Sequence, residues 1–279
     1  MIFLYSKWDE FCSKLNKMNI TSVTAKDVLV RVNSQKFLIL KHDVETNVKK
    51  ALKMAKIESK YGHKGSFYVQ AYLLEKKKNI KMLKEIASLG HEVSYHYDVM
   101  DSCKGNINKA VMEFEKNRHL FEENSFDVTT VCQHGNPIVE RKGYTSNRDF
   151  FRNPKVKSMY SDIFDIMVDF KNKIGVEYMY FSDAGRHFQM IYDPLFNDVV
   201  DSEDKNIMYD DLDNLICSVD LLSNNCIIST HPHRWCESSM IYMLKLKIFT
   251  FLKKTAKKLV RIPIFNKLMN RYYYLAKKI

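Results

Sequence analysis

The chain has 279 residues, of which 46% are hydrophobic, so it can bury the core of one large domain or of one domain with an appendage. No stretch of eighteen apolar residues occurs, and the first residues lack the pattern of a signal peptide, so we expect neither a membrane span nor secretion. The six cysteines show no C-x-x-C or zinc-ribbon spacing, and we expect reduced thiols in a cytoplasmic protein.

The net charge of +11 lies in the C-terminal part of the chain. Residues 241–279 contain eleven of the 44 Lys and Arg residues and none of the 33 Asp and Glu residues. The first 240 residues therefore carry 33 charges of each sign. A nucleic-acid-binding body would carry a basic face of its own, so we predict no nucleic-acid partner. We divide the chain into a body, residues 1–236, and a basic tail, residues 237–279.

Strand-like and helix-like segments alternate through the first half of the chain. A short helix over residues 8–18 comes first. Four strand-like segments then run from residue 37 to residue 135, and amphipathic helices separate them. Gly62 and Gly90 are placed to end two of these helices. Such alternation predicts an α/β fold with a parallel sheet, either open or closed into a barrel.

The second half of the chain is less regular. We predict long loops over residues 136–175, with one helix near residues 159–170. Two further strands are predicted within residues 176–185 and 225–233, with a helix at about residues 209–223 before the second strand.

Titratable side chains follow nearly every predicted strand, at its carboxyl end. They are His42, Asp43, Glu45, His96, Asp98, Asp101, His134, Asp183, Arg186, His187, His231, His233 and Arg234. The carboxyl ends of parallel strands form the functional edge of such folds, so we expect a shared site. Carboxylates and imidazoles together suit metal-assisted hydrolysis with a general base and a general acid. No glycine-rich phosphate loop and no G-x-S-x-G sequence occurs, which argues against a kinase, a dehydrogenase or a serine hydrolase.

Five segments in this order resemble the motifs of the polysaccharide deacetylase family: LKHDVE, KGSFYV, GHEVSYHY, SDAGRHF and STHPHRW. The family is carbohydrate esterase family 4, of the chitooligosaccharide-deacetylase type. The likeness extends over residues 36–236 and is closest to an intracellular branch found among surface-polysaccharide biosynthesis proteins. It implies an irregular (β/α) barrel with seven or eight parallel strands. It also implies that a divalent metal, usually zinc, helps to remove an N- or O-linked acetyl group from a sugar.

The first motif of that family carries a general base and a metal ligand. A match without a gap gives Asp43 the base position and Val44 the ligand position. The sequence resembles the D-x-D variant of the family, which makes Glu45 the ligand instead. A shifted match would make Asp43 the ligand and would place His42 at the base position.

The second motif supplies two metal-binding histidines four residues apart. His96 matches the first, but Met100, whose thioether is a poor zinc ligand, stands at the second. His134, Asp101 or Asp98 would then complete the metal shell. The Arg-Pro pair that steadies the base in the family is not recognisable, and QHGNP stands in its place.

The last two motifs imply the acid side of the reaction. Asp183 matches the acidic residue that orients the final histidine, and His231 matches that histidine, the general acid. Arg186 has no counterpart and would hold a carboxylate or phosphate of the substrate. Trp235 is either a sugar-stacking platform or a core residue. The full prediction comprises the catalytic residues Asp43, Asp183, Arg186 and His231, the substrate-binding residues His42, Arg234 and Trp235, and the metal ligands Glu45, His96 and His134.

The basic tail contains an amphipathic segment, MLKLKIFTFLKKTAKKLVRI, that permits two interpretations. It is either an interfacial anchor on an anionic membrane or a helix packed on the barrel. An anchor would make the substrate a lipid-linked sugar at the cytoplasmic leaflet. Our leading hypothesis is a cytoplasmic sugar deacetylase of surface glycan biosynthesis. The alternative, suggested by Met100, is a non-catalytic barrel that serves as a binding or scaffold protein in a glycan-assembly complex.

Overall fold

The computed structural model describes residues 3–30, 36–136, 139–170, 178–183, 188–191, 208–209, 211–218, 220–221 and 224–259. The α-helices within these residues are α1 (Tyr5–Lys17), α2 (Ala25–Val30), α3 (Val48–Lys60), α4 (Lys77–Ser88), α5 (Val99–Ser102), α6 (Ile107–Glu123), α7 (Asp149–Arg152), α8 (Pro154–Met159), α9 (Leu212–Ser218) and α10 (Ser239–Leu259). The strands are β1 (Leu38–Val44), β2 (Gly65–Val69), β3 (Glu92–Tyr97), β4 (Thr130–Gln133), β5 (Phe164–Asp165), β6 (Met179–Ser182), β7 (Phe188–Ile191), β8 (Met208–Tyr209) and β9 (Cys226–Thr230). Short 3-10 helices cover Ala71–Glu75 and Pro232–Arg234.

These strands form one sheet in the order β5-β4-β3-β2-β1-β9-β6-β7-β8. The seven strands from β5 to β6 in that order run parallel. Strands β7 and β8 continue the sheet in antiparallel pairing at one edge. Helices connect the first four strands along the chain, because parallel neighbours need a crossover connection. The predicted α/β fold with seven or eight parallel strands is therefore confirmed.

The parallel strands curl into a half-barrel around an interior core. Phe170, which follows β5, packs against Tyr178, which precedes β6, with ring centroids 5.5 Å apart. These strands are at opposite ends of the parallel part of the sheet, so the two ends approach each other. The interior cluster comprises Val23, Ala25, Val28, Phe37, Ile39, Tyr68, Cys132, Phe164, Ile166, Met167, Phe170, Tyr180 and Ile227.

The side chains of β1 alternate between two environments, as those of any strand do. Leu40 packs under the helices with residues of α1, whereas Ile39 lies in the interior cluster. The helix-side set is Leu38, Leu40, His42 and Val44, and the interior set is Ile39, Lys41 and Asp43. One strand therefore contributes both to the core under the helices and to the interior of the half-barrel.

Polar caps and glycines set the ends of the first crossover helices. The side chain of Asn47 accepts a hydrogen bond from the backbone N–H of Lys50 at the start of α3. Gly62 and Gly90 follow α3 and α4 with φ values of +77° and +89°, a left-handed conformation that favours glycine. Both glycines end helices, as the sequence predicted.

The segment from residue 149 to residue 170 differs from the predicted helix near residues 159–170. Two shorter helices, α7 and α8, come earlier, and Asn153 caps α8 just before Pro154 at its first position. Residues 164–165 form β5 beside β4 instead of a helix. Neighbouring side chains here enter different cores. Ile163 lies in the first helix-side cluster, an apolar core that includes Val44, Leu83 and Phe114, whereas Phe164 lies in the interior cluster. An extended segment buried on two sides explains the difference.

Helix α10 begins shortly after the last parallel strand. Tyr242 in its first turn packs against Phe3 and belongs to the second helix-side cluster, which includes Trp8, Leu40 and Trp235. Met243 and Leu244 are exposed. Among the described residues, none of the helices combines the length and apolar character that a bilayer crossing requires.

Candidate active site

The predicted metal ligands come from the ends of three parallel strands. Glu45 directly follows β1, His96 lies near the end of β3, and His134 directly follows β4. Their ligand atoms lie within 4.8 Å of one another, and all three side chains are buried. His134 Nε2 is 3.0 Å from Glu45 Oε1. The fold thus brings one carboxylate and two imidazoles together, and we call these three residues the metal-ligand group.

The protonation of His96 suits a metal ligand. Its Nδ1 lies 3.1 Å from the backbone carbonyl of Cys132. Because a carbonyl only accepts, Nδ1 carries the proton and Nε2 keeps its lone pair. Burial lowers the pKa of His96 to about 3, so the ring is neutral at physiological pH. A carboxylate and two imidazoles fit a divalent ion such as zinc.

A second group of potential ligands, Asp43, His96 and Cys132, shares His96 with the first. Burial raises the pKa of the Cys132 thiol well above its usual value, so the thiol is protonated. One oxygen of Asp43 is already paired with Lys41. Since a thiolate, not a thiol, binds metals well, the metal-ligand group is the better match to an ion.

Asp43 presents one paired and one unpaired oxygen beside the metal-ligand group. Its Oδ2 lies 2.6 Å from Lys41 Nζ, whereas its Oδ1 is buried without a hydrogen-bond partner among the described residues. Burial would raise the pKa of Asp43, but the nearby cationic groups, Lys41 above all, outweigh burial and lower it. Asp43 is therefore an ionised carboxylate with one oxygen able to accept a proton.

His231 follows β9 and is oriented by Asp183, which follows β6. His231 Nδ1 is 2.5 Å from Asp183 Oδ1, and the backbone N–H of His231 donates to Asp183 Oδ2 at 2.9 Å. The Arg234 guanidinium lies 3.0 Å from Asp183 Oδ1. Burial would raise the pKa of Asp183, but Arg234 and His231 hold it well below its usual range. Asp183 thus stays ionised and keeps a proton of His231 on Nδ1.

The other ring nitrogen of His231 faces the two carboxylates that follow β1. Its Nε2 lies 3.9 Å from both Asp43 Oδ2 and Glu45 Oε1. This distance exceeds a hydrogen bond, so Nε2 is not committed to either carboxylate. Strands β1 and β9 are neighbours in the sheet, which explains why their ends meet. The site therefore offers a proton acceptor and a proton donor beside the metal-ligand group.

His42 does not bind substrate, and that prediction is wrong. Its side chain is 0% exposed and stacks on Phe67 on the helix side of β1, with ring centroids 4.2 Å apart. Its Nδ1 is 2.7 Å from Thr230 Oγ1, and its Nε2 is 2.8 Å from Glu58 Oε1. Adjacent residues of a strand point to opposite faces, so the shifted match with His42 as the base in place of Asp43 is wrong too.

Trp235 belongs to the core, and the prediction that it binds substrate is wrong as well. Its side chain is 1% exposed and packs against Phe3 and Trp8, with ring centroids 5.3 and 5.1 Å away. A ring without an accessible face cannot stack on a sugar. Arg234 is partly exposed beside the site, and its role in substrate binding stays a prediction. Arg186 lies outside the described residues.

Met100, which stands at the second histidine position of the motif, is buried in the first helix-side cluster with Val44 and Tyr97. Asp101 is bound by Arg141 through two hydrogen bonds and by Asn147 through a third, so its oxygens are occupied. Of the three candidates to complete the metal shell, His134 is the one in the metal-ligand group.

Two lysines near the site were not predicted as parts of it. Lys41 lies inside the half-barrel and contacts Asp43. Lys50, from the first turn of α3, donates to the backbone carbonyls of His233 and Trp235 at 2.6 Å each and so supports the turn after β9. Two-residue spacing on one strand was a signal for Lys41, because it places both side chains on one face. No sequence signal indicated Lys50.

No protein-family model matches the sequence, and no curated protein matches it. Among solved structures, the chain is similar to a CE4 esterase from Streptococcus mutans, at 15% identity over 84% of this chain and 89% of that one, with a TM-score of 0.45. It is also similar to the peptidoglycan deacetylase PdaC from Bacillus subtilis, at 14% identity over 83% of this chain and 98% of that one, with a TM-score of 0.37.

Proposed function

We propose that the protein is a metal-dependent hydrolase that removes an acetyl group from an N- or O-acetylated sugar. The observation that carries this proposal is the position of His231 Nε2, 3.9 Å from the carboxylates of both Asp43 and Glu45. Glu45 also belongs to the metal-ligand group. A general acid, a general base and the ligands of an ion thus meet at one point, as hydrolysis requires. The order of the sequence motifs supports the same reaction.

Each polar residue has a separate part in the reaction. A divalent ion held by the metal-ligand group would supply Lewis-acid polarisation of the acetyl carbonyl. Asp43 accepts the proton of the attacking water on Oδ1. His231 donates a proton from Nε2 to the departing nitrogen or oxygen of the sugar. Asp183 holds the imidazole through Nδ1 and stabilises its protonated form before this transfer.

Acetate release tests the proposal. Purified protein supplied with Zn²⁺ or Co²⁺ is expected to release acetate from acetylated sugars, and Asp183→Asn is expected to lower kcat by about 10²- to 10³-fold. Asp162→Asn, at an exposed position, is the matched control and is expected to keep the wild-type kcat. Absence of acetate release from acetylated sugar nucleotides, lipid-linked sugars and oligosaccharides with either metal would contradict the proposal.

The non-catalytic alternative rested on Met100 at a ligand position. Since His134 belongs to the metal-ligand group, three ligands are present without residue 100, and Met100 is a weaker argument for a scaffold. Elemental analysis separates the two functions: the hydrolase is expected to retain about one ion per chain after gel filtration, and a scaffold has no need of one.

We further propose that the sugar is carried by a lipid in surface glycan biosynthesis and that α10 rests on the anionic cytoplasmic face of a membrane. Tyr242 fixes the first turn of α10 to the body beside Trp235, close in sequence to His231. Met243 and Leu244 are exposed, and the chain after residue 240 carries only basic charges. Exposed apolar side chains among lysines suit an anionic interface.

Vesicle flotation tests the membrane contact. The full chain is expected to bind phosphatidylglycerol vesicles but not phosphatidylcholine vesicles, and exchange of four α10 lysines for Glu is expected to abolish binding. The same exchange of four α4 lysines is the control for total charge and is expected to keep binding. The exchanged residues are Lys253, Lys254, Lys257 and Lys258 in α10 and Lys77, Lys78, Lys81 and Lys84 in α4. Preference for double-stranded DNA over the anionic vesicles would contradict both the membrane contact and the predicted lack of a nucleic-acid partner.

A further inference from the structure

Lys41 is buried inside the half-barrel, next to the candidate active site. The residue is 1% exposed, and its Nζ lies 2.6 Å from Asp43 Oδ2, 3.1 Å from Ser229 Oγ and 3.3 Å from the hydroxyl oxygen of Tyr180. An ammonium group has three N–H donors, so these three acceptors use its full capacity. Lys41 is therefore not available to a substrate, and its charged partner is Asp43.

The sheet itself fixes the ammonium of Lys41. Its three acceptors belong to β1, β9 and β6, which are consecutive in the sheet. The parallel register of β1 and β9 places Lys41 beside Ser229. Because a buried charge is costly without a charged partner, the Lys41–Asp43 pair holds both side chains in place.

The other neighbours of Asp43 lie too far away to orient its carboxylate. His96 Nδ1 is 4.0 Å from Oδ1, and His231 Nε2 is 3.9 Å from Oδ2. Both distances exceed a hydrogen bond. Among the described residues, the contact with Lys41 is therefore what binds Oδ2 and leaves Oδ1 to receive a proton.

We propose that Lys41 is the positioning residue of the general base Asp43. The motifs that this chain resembles place an Arg-Pro pair after a later strand for that purpose, and no arginine occurs between Thr130 and Asn136 here. Lys41 instead supplies a cation from β1, two residues before the base. This inference rests on the proposed function, in which Asp43 accepts the proton of water.

Two substitutions separate positioning from packing. Lys41→Met keeps the length of the side chain without its charge, and Lys41→Arg keeps the charge. With 4-methylumbelliferyl acetate as the probe, Lys41→Met is expected to lower kcat about 100-fold with KM within about threefold of wild type, because a misplaced base costs rate more than binding. Lys41→Arg is expected to lose no more than about tenfold. If Lys41→Met kept the wild-type kcat while Lys41→Arg lowered it, the proposal would be overturned. The volume of the side chain, rather than its charge, would then explain the role of residue 41.

Two further measurements locate the effect at Asp43. In an Asp43→Asn background, Lys41→Met is expected to cause no additional loss of kcat, and the Zn²⁺ affinity of Lys41→Met, measured by calorimetry, is expected not to weaken. If Lys41→Met lowered kcat as much in the Asp43→Asn background as it does in the wild type, or if it weakened Zn²⁺ binding, the positioning role would be overturned. Lys157→Met is the matched control, because Lys157 is also paired with an aspartate, Asp169, outside the site. It is expected to keep the wild-type kcat.

Unfolding measurements distinguish failure of this inference from failure of the proposed function. If the wild-type protein released no product, the proposed hydrolase function would be contradicted. The urea midpoints of the wild type, Lys41→Met, Asp43→Asn and the double variant would still report on the Lys41–Asp43 contact. The decrease in the urea midpoint of the double variant is expected to be smaller than the sum of the decreases in the two single variants. Additive losses would overturn the positioning role. Lys41→Gln replaces Lys41→Met throughout if the Met variant does not fold.

Discussion

At the scale of single residues, Glu58 shows how this protein accommodates a charge in its core. Its carboxylate lies on the helix side of β1, 2.9 Å from Trp8 Nε1, 2.8 Å from His42 Nε2 and 3.7 Å from His91 Nδ1. Burial would raise the pKa of Glu58, but His42 and His91 outweigh burial and lower it. Glu58 is thus an ionised group that joins α1, α3 and β1 away from the active site.

Glu58→Gln is expected to lower the free energy of unfolding by roughly 3 kcal/mol, because it leaves the buried histidines and the indole with a neutral partner. Urea denaturation at pH 7 measures this change. Glu85→Gln is the matched control, because Glu85 forms an exposed ion pair with Lys56 that is worth at most about 1 kcal/mol. Equal losses in the two variants would contradict a stabilising role for the buried charge.

At the scale of elements, β1, β2 and α3 approach one another closely at Gly65. A Cβ atom there would lie 2.7 Å from Glu58 Oε2 and 2.9 Å from the carbonyl oxygen of Leu40. The carbonyl belongs to the backbone of β1, the strand that carries Lys41 and Asp43, so it cannot move freely. The missing side chain at residue 65 therefore allows β2 and α3 to pack against β1.

Gly65→Ala is expected to lower the free energy of unfolding by about 1–3 kcal/mol, the usual cost of an overpacked core. Thermal and urea unfolding provide the measurement. Gly62→Ala is the comparison. Gly62 has a φ of +77°, and among the described residues no atom beyond its chain neighbours lies within 4 Å of the position that an added methyl group would take, so only backbone strain of about 1 kcal/mol is expected. If Gly65→Ala cost no more than Gly62→Ala, crowding between the elements would not be the cause.

At the scale of the whole molecule, buried carboxylates give opposing contributions to the pH dependence of stability. Asp43, Glu58 and Asp183 have lowered pKa values, so their contribution is present at neutral pH and is lost as the pH falls. Asp165 behaves in the opposite way. Burial raises its pKa to about 6, although it accepts hydrogen bonds from the Tyr97 hydroxyl and a backbone N–H.

Asp165→Asn is expected to gain stability relative to wild type as the pH rises from about 4 to about 6. In this window the folded wild type keeps a proton on Asp165 that the unfolded chain has released, so raising the pH lowers its free energy of unfolding by up to roughly 3 kcal/mol. Asn does not titrate. Urea denaturation between pH 4 and pH 7 measures the difference, and exposed Asp162→Asn serves as the control. A difference that is constant with pH would contradict the raised pKa.

Much of the fold was predictable because its signals are local. Apolar spacing within 10–20 residues indicates helices and strands, and Gly62 and Gly90 mark helix ends through their own backbone conformation. The prediction of a helix near residues 159–170 was wrong because this segment is extended and buried on both faces. The spacing of apolar residues within one segment does not show that a second face is buried. His42 and Trp235 were misassigned for a related reason: the polar or aromatic character of a side chain does not reveal which core surrounds it.

The sequence by itself determined the alternation of strands and helices over residues 37–135, the acidic and imidazole groups at the strand ends, and the basic character of the tail, because each of these is a property of neighbouring residues. Tertiary structure decided which of the candidates His134, Asp101 and Asp98 lies beside Glu45 and His96, and that Lys41 pairs with Asp43 and Ser229. The physical reason is that spacing fixes the direction of side chains along one strand. The register between strands, and the face that becomes the interior, depend on packing between distant segments.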